Sequence, residues 1–214
     1  MQATDTQNAL AGLRRWTLER DDSGPHRVYR DKSGVSYASV THILKETSPQ
    51  WQKDALDRWL ERPTAPMERD VACERGTLAH NHAEYVLKTA AKLARNSANK
   101  RGSWRTGDDG LERAPKGITT WAIEKAIQGA PRVSWSASGY ARGLRTWIGE
   151  NVTAIHAIEF SIHDPRGWAG TADALIDVNG TLCVADWKTS VNARSEEMLS
   201  NYICQTGAYS LGLQ

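Results

Sequence analysis

Asp173, Asp186 and Lys188 are the residues whose types and spacing most directly imply chemistry. They flank an Asn179-Gly180 pair set between two apolar, β-branched runs, the strongest short-range signal of a β-hairpin. With Asn179 and Gly180 as the two turn residues, Val178 faces Thr181 and outward pairing puts Asp173 directly opposite Asp186. Side chains alternate along a strand, so Lys188 falls on the face of the two acids. Carboxylates that face each other across strands repel. A divalent cation between them reverses that sign. The residues around them, Ala174, Leu175, Val184 and Ala185, are apolar on both faces, as in a covered strand. Buried carboxylates need partners, and one lysine balances only one acid. A metal site fits this better than a solvated pair flanking a turn, and the chemistry it fits is metal-assisted phosphodiester hydrolysis.

Other residues could join that site. His80, Ala83, Leu87, Ala91 and Ala94 share one small, apolar helical stripe, with Glu84 four residues after His80 and so able to point the same way. His80 reads either as a partly buried, hydrogen-bonded imidazole or as a ligand. Gly76 costs about 1 kcal/mol against Ala inside this helix and hints at a close approach. Glu159 is either a solvated strand-edge charge or an outer group that orients a bound water. Tyr202, Gln205 and Tyr209 recur at i, i+3 and i+7 on a last helix. Tyrosines so spaced commonly pack the rim of a core, while Gln205 suits a hydrogen bond to a phosphate or a water. Between Lys100 and Gly117 the basic residues Lys100, Arg101, Arg105, Arg113 and Lys116, with Trp104 among them, fit phosphate contacts and one stacked base. Asp108, Asp109 and Glu112 dilute that charge, so a merely solvated loop stands beside this reading.

The elements that must position these residues follow in order. Residues 1 to about 24 are polar and mixed, a loose arm or short helix. His26 to Tyr37 reads as a hairpin turning at Asp31-Lys32-Ser33-Gly34. Ser39-Val40-Thr41 caps a short helix through Leu44. Trp51, Ala55, Leu56, Trp59 and Leu60 mark a second helix that ends before Pro63, and Pro66 starts a long helix to about Asn96. Residues 100–117 form a long loop without periodicity. Helices follow over Thr119 to Gln128 and Ser136 to Gly149. A strand over Val152 to Ile162, the Asp164-Pro165-Arg166-Gly167 turn, the acid-bearing hairpin and a helix from Ser195 to Gly212 complete the chain. This order predicts an α+β fold. After the arm at 1–24, residues 25–214 make one domain, with a helical part over 40–149 and a sheet plus last helix over 150–214.

Composition narrows the class. The 214 residues can bury a core, and a net charge of +2 gives no global basic field, so nucleic acid must be met by local patches. Cys73, Cys183 and Cys204 are odd in number and scattered, which fits reduced thiols in a cytoplasmic protein and excludes a four-cysteine cluster. No apolar run reaches the roughly 18 residues of a membrane span, and no signal or transit segment is evident at the N-terminus. Nine tryptophans against one phenylalanine leave one or two free to stack on bases.

Taken in order, these motifs resemble the RecB-like branch of the PD-(D/E)xK nucleases. The matching pieces are Arg75-Gly76-Thr77 with His80, Gly170-Thr171-Ala172-Asp173, Asp186-Trp187-Lys188-Thr189-Ser190, and Gln205 with Tyr209. The segment Tyr37 to Leu44 resembles the opening of phage exonucleases that are similar to the mitochondrial genome-maintenance exonuclease. The resemblance implies a restriction-endonuclease-like core, α/β/α in its layering, with a mixed central sheet flanked by helices. It implies metal ligation by His80, Asp173, Asp186 and the backbone carbonyl of Trp187, with Lys188 at the scissile phosphate or the attacking water. Gln205 and Glu159 then support the reaction, and Ser39, Thr41, Arg75 and Tyr209, with Arg101, Trp104 and Arg105, are expected at the DNA. Oxygen donors with one imidazole suit Mg²⁺ or Mn²⁺. The expected activity is exonucleolytic hydrolysis of DNA, single-stranded or at ends, with a recombination or replication protein as a further partner. A catalytically idle DNA-binding or recombination partner and a structure-specific endonuclease are the alternatives.

Overall fold

The computed structural model describes residues 18–106, 111–192 and 194–213. Residues 1–17 of the expected arm, and Asp108 and Asp109 of the expected loop, lie outside the described residues. The architecture is α+β, a curled mixed sheet flanked by helices. In chain order the strands are β1 (Glu19–Asp21), β2 (Val28–Arg30), β3 (Ser36–Ser39), β4 (Arg105–Thr106), β5 (Glu112–Arg113), β6 (Val152–Asp164), β7 (Trp168–Val178) and β8 (Thr181–Ala185). The helices are α1 (Val40–Glu46), α2 (Gln50–Leu60), α3 (Ala65–Lys100), α4 (Lys116–Gln128), α5 (Trp135–Asn151) and α6 (Glu196–Gly212). No described helix is long and apolar enough to cross a membrane.

Strand β7 is the axis of the sheet. Antiparallel β6 pairs with it from Asp164↔Trp168 to Val152↔Val178, covering one edge for its whole length. The other edge is shared. Parallel β3 takes Trp168 and Ala169, and antiparallel β8 takes Ala174 to Val178. Residues 170–173 of β7 lie between these partners, so the sheet opens there along one edge. The β7–β8 turn has Asn179 at φ 51° and Gly180 at φ 89°, the pair of positive φ values that a two-residue hairpin turn needs. Val178 faces Thr181 as the sequence predicts.

Two apolar clusters cover the sheet, and they meet at the same place. Ala83, Val86, Leu87 and Ala90 of α3 pack with Ile123 of α4, Ile148 of α5 and Ala174 and Ile176 of β7. The small residues of α3 let helix and sheet backbones approach closely. On the other side Val40 of α1 and Tyr209 of α6 pack with Ile162 and Ala172. Along β7 the change of cluster falls between Ala172 and Ala174, and along β6 between Ile158 and Phe160. The residues at this seam are Asp173 and Glu159.

Three expectations need correction. The polar segment before residue 25 is not only an arm or short helix: Glu19–Asp21 is an edge strand paired with β2, held by Arg30 on Asp21 at 2.7 Å. The loop over 100–117 is not structureless, because β4 and β5 pair as a short antiparallel ribbon and α4 starts at Lys116. Buried Leu111 and Ala114 and half-buried Trp104 anchor it, apolar side chains too irregularly spaced to give a period. Ser39 stands at the N-cap of α1 but its hydroxyl caps no N–H; it lies 2.8 Å from the Thr41 hydroxyl instead.

Candidate active site

The seam holds a cavity of about 390 Å³ lined by His80, Glu159, Asp173, Asp186, Lys188 and Gln205 among others. Each side chain arrives by a local rule. The ladder ends at Ala174↔Ala185, so the next pair outward is Asp173 and Asp186. On the opposite edge, Ile158↔Ala174 and Phe160↔Ala172 bracket Glu159 against Asp173. Three carboxylates thus stand in a row across three neighbouring strands, a spacing of roughly 5 Å per step. Glu159 has φ 49°, a left-handed conformation rare for a residue with a side chain, and it sits mid-strand. Such strain persists only where the surroundings enforce it, and it gathers at functional sites.

Hydrogen bonds fix the two central acids differently. Asp173 accepts from the backbone N–H of Trp187, and its other oxygen lies 3.5 Å from His80 Nδ1. Asp186 accepts from Gln205 Nε2 at 3.0 Å and is paired with Lys188. Gln205 also donates to the Tyr209 hydroxyl at 3.0 Å. Tyr209 reaches this position because Gly170 has no side chain: a Cβ there would stand 2.8 Å from the Tyr209 hydroxyl. Gly76 allows a second close approach, with Thr189 Oγ1 3.3 Å from where its Cβ would be.

The electrostatics record the crowding of negative charge. Contact with Asp173 raises the His80 imidazole above its ordinary range, against the opposing effect of burial. Burial pushes the Asp186 carboxyl up, and Lys188 pulls it back. Glu159 is pushed up to about 7, by burial first and by Asp173 next. Burial also raises the Tyr209 phenol.

The donor set fits a hard divalent cation: two carboxylates and an imidazole, in a cluster with more acid than base. Among the described residues no three His, Cys, Asp or Glu side chains stand close enough together to hold a metal ion as they are placed. The lysine occupies one oxygen of Asp186, so a cation would take its place there.

Of the residues expected at the site, His80, Glu159, Asp173, Asp186, Lys188, Gln205, Tyr209 and Thr41 line one cavity. Trp187 contributes its N–H to Asp173, and its indole packs edge-on against Trp147. Ser39 is buried beneath α1. Arg75 is half-buried and outside the cavity lining; Arg101 and Arg105 are exposed and also outside it. Trp104, expected as a base-stacking ring, packs against the core with Arg95 6.0 Å from its ring centre. The ribbon joins the sheet at Asp177, through Arg113, about 13 Å along β7 from Asp173.

Sequence reasoning passed over Arg20, Arg27 and Thr171, which also line the cavity. Both arginines pair with Asp22 at 2.6 Å. The Asp21-Asp22 pair set between the two arginines was the available signal. Thr171 is two residues before Asp173, hence on its face, and lies 3.2 Å from the Tyr29 hydroxyl.

A hairpin with paired acids and a lysine at an opening in a mixed sheet defines a class of phosphodiester-cleaving folds. The chain belongs to the PD-(D/E)XK nuclease superfamily, whose family model matches residues 38–214. It is also similar to mitochondrial genome maintenance exonuclease 1 of Mus musculus, 24% identical over an alignment of 176 residues that covers 78% of this chain. The match spans 40% of that relative's length. No solved structure gives a significant match.

Proposed function

We propose that this nuclease is a divalent-metal-dependent deoxyribonuclease that degrades single-stranded DNA from an end. The row of Glu159, Asp173 and Asp186 across three strands, with Lys188 beside it, is the observation that carries the reading. Asp173, Asp186 and His80 would hold Mg²⁺ or Mn²⁺, with the Trp187 carbonyl as a further donor. The bound ion supplies a water of lowered pKa and charge stabilisation at the phosphate.

The remaining work falls to the protein. The Trp187 N–H and Gln205 hold the two acids in fixed orientations, which limits reorganisation during reaction. Lys188, released from Asp186, places positive charge where the phosphate gains negative charge. Glu159 lies opposite Asp173 with its carboxyl near neutral pH, suited to orient the attacking water and take its proton. The end preference and the DNA substrate draw their support from the exonuclease relative.

Digestion of 5′- and 3′-labelled single strands, duplexes and closed circles with Mg²⁺, Mn²⁺ or EDTA tests this. Stepwise loss from one end, abolished by EDTA, is expected. Cleavage of closed circles would replace the exonuclease with an endonuclease. Binding without cleavage in either metal would leave a DNA-binding module.

A further inference from the structure

A second cavity, of about 580 Å³, opens on the other side of Lys188, between α1, α2 and α6. Thr41, Lys188 and Gln205 line both cavities. A polynucleotide whose scissile phosphate meets Lys188 can therefore continue from the acid-lined cavity into this groove.

The groove has the chemistry of a nucleotide. Tyr202 presents its ring there, with Lys188 Nζ 5.7 Å and the Arg194 guanidinium 5.5 Å from the ring centre. Asn201 donates to Ser48 Oγ at 3.1 Å and to Gln52 Oε1 at 3.0 Å, so α6 is tied to the α1–α2 turn and the groove wall is fixed. Leu44 and Leu56 give the wall an apolar stretch, and Leu56 remains 47% exposed. Helix α2 has an apolar stripe in sequence yet no buried residue, so this face is uncovered. Lys45, Lys53 and Lys188 outnumber Glu46 and Asp57 in the lining, which favours a strand carrying phosphates.

We propose that this groove is the subsite for the nucleotide next to the scissile phosphate on single-stranded DNA, with the Tyr202 ring as the platform for its base. The proposal rests on the reading of Lys188 as the phosphate-facing lysine. Both cations sit over the ring, so a stacking base would displace one of them from the ring face while its phosphates keep it nearby, and stacking tolerates any sequence. A paired base in duplex could not turn onto the ring.

Fluorescence anisotropy in EDTA, where no cleavage occurs, gives the direct test. The probes are an oligothymidylate and the same backbone with abasic sugars throughout. Tyr202→Ala is expected to weaken oligothymidylate binding roughly 5- to 100-fold, the range of one lost base stack. Tyr202→Phe and Tyr202→Trp should bind like wild type, and the abasic backbone should bind wild type and Tyr202→Ala equally. With Mn²⁺ the loss in Tyr202→Ala should fall on KM more than on kcat. Should Tyr202→Ala fold poorly, as judged by Tm, Tyr202→Leu keeps the side-chain bulk and should show the same loss. Unchanged oligothymidylate binding by these variants, or equal losses on the abasic backbone, would overturn the subsite and leave the groove to a polypeptide. If wild type cleaves while Tyr202→Ala binds normally, only the subsite fails. If the base-dependent loss is present but wild type cleaves nothing, Tyr202 stands as a base platform for DNA binding, and the nuclease reading fails together with the placing of that platform beside a scissile phosphate.

Discussion

Asp173 and Asp177 sit four residues apart on the same strand and are almost equally covered, with side-chain exposures of 12% and 9%. Their surroundings differ in charge rather than in burial. Asp177 meets His156 Nε2 at 2.8 Å and Arg113 Nε at 3.4 Å, and Thr153 bonds its backbone carbonyl. Its charge is answered, and the three residues clasp the β4–β5 ribbon to the sheet. Asp173 meets one backbone N–H and an imidazole, and it faces two further carboxylates. Lys188 is already committed to Asp186. Burial alone therefore does not mark a functional acid on this strand. What sets Asp173 apart is the surplus of carboxylates around it, which the proposed cation would answer.

The largest effect that separates the two acids concerns cleavage. Asp173→Asn and Asp186→Ala should each lower the rate by more than about 100-fold, since even partners beyond the ligands of a metal are worth 10- to 100-fold. Thermal unfolding should shift little, because each change also relieves like-charge repulsion. A labelled-strand assay paired with calorimetry measures both. Asp177→Ala should do the reverse. The change takes away the buried partner of His156 and one partner of Arg113, and should cost about 1–3 kcal/mol. The rate per folded molecule should stay within about twofold; a larger loss would mean that the ribbon controls the chemistry.

Gly170→Ala tests how tightly the acid pair depends on its support. The new methyl meets the Tyr209 ring and should cost about 1–3 kcal/mol. By displacing Gln205 it should also slow cleavage, whereas a pure stability loss would separate packing from catalysis. The smallest effect is a pH dependence. Glu159 holds its proton up to about 7 when folded, against the ordinary value of 4.5 in the unfolded chain. Protonation thus favours the folded state, fully below pH 4.5, and that contribution fades as pH rises through 7. In EDTA, Glu159→Gln should gain stability over wild type from pH 4.5 to 7 and then level off. A flat difference in Tm across that range would remove the like-charge row from the account.

The acid pair was legible because Asn179-Gly180 sets the register of its own hairpin, and two residues of turn chemistry suffice to place Asp173 opposite Asp186. The alternating strands and the stripe of α3 followed from periodicity. Glu159 was legible as a strand residue but not as a left-handed one, since its φ is imposed by the change between two cores that no local pattern records. The ribbon was missed because four paired residues give no period. Trp104 is ambiguous for a related reason: indole size marks both a core residue and a stacking platform, and its contact with the core and with Arg95 is not recorded in any local pattern. The cavity-lining Arg20 and Arg27 belong to a segment whose place is set by pairing with β2, a contact invisible to composition.

Mn²⁺ binding, followed by electron paramagnetic resonance of the free ion, tests the central claim most directly. Wild type, Asp177→Asn and Asp186→Asn are titrated under identical conditions without DNA. Equal binding by wild type and Asp177→Asn is expected, with loss of binding in Asp186→Asn. Equal binding by Asp186→Asn, or no binding by wild type, would contradict that claim.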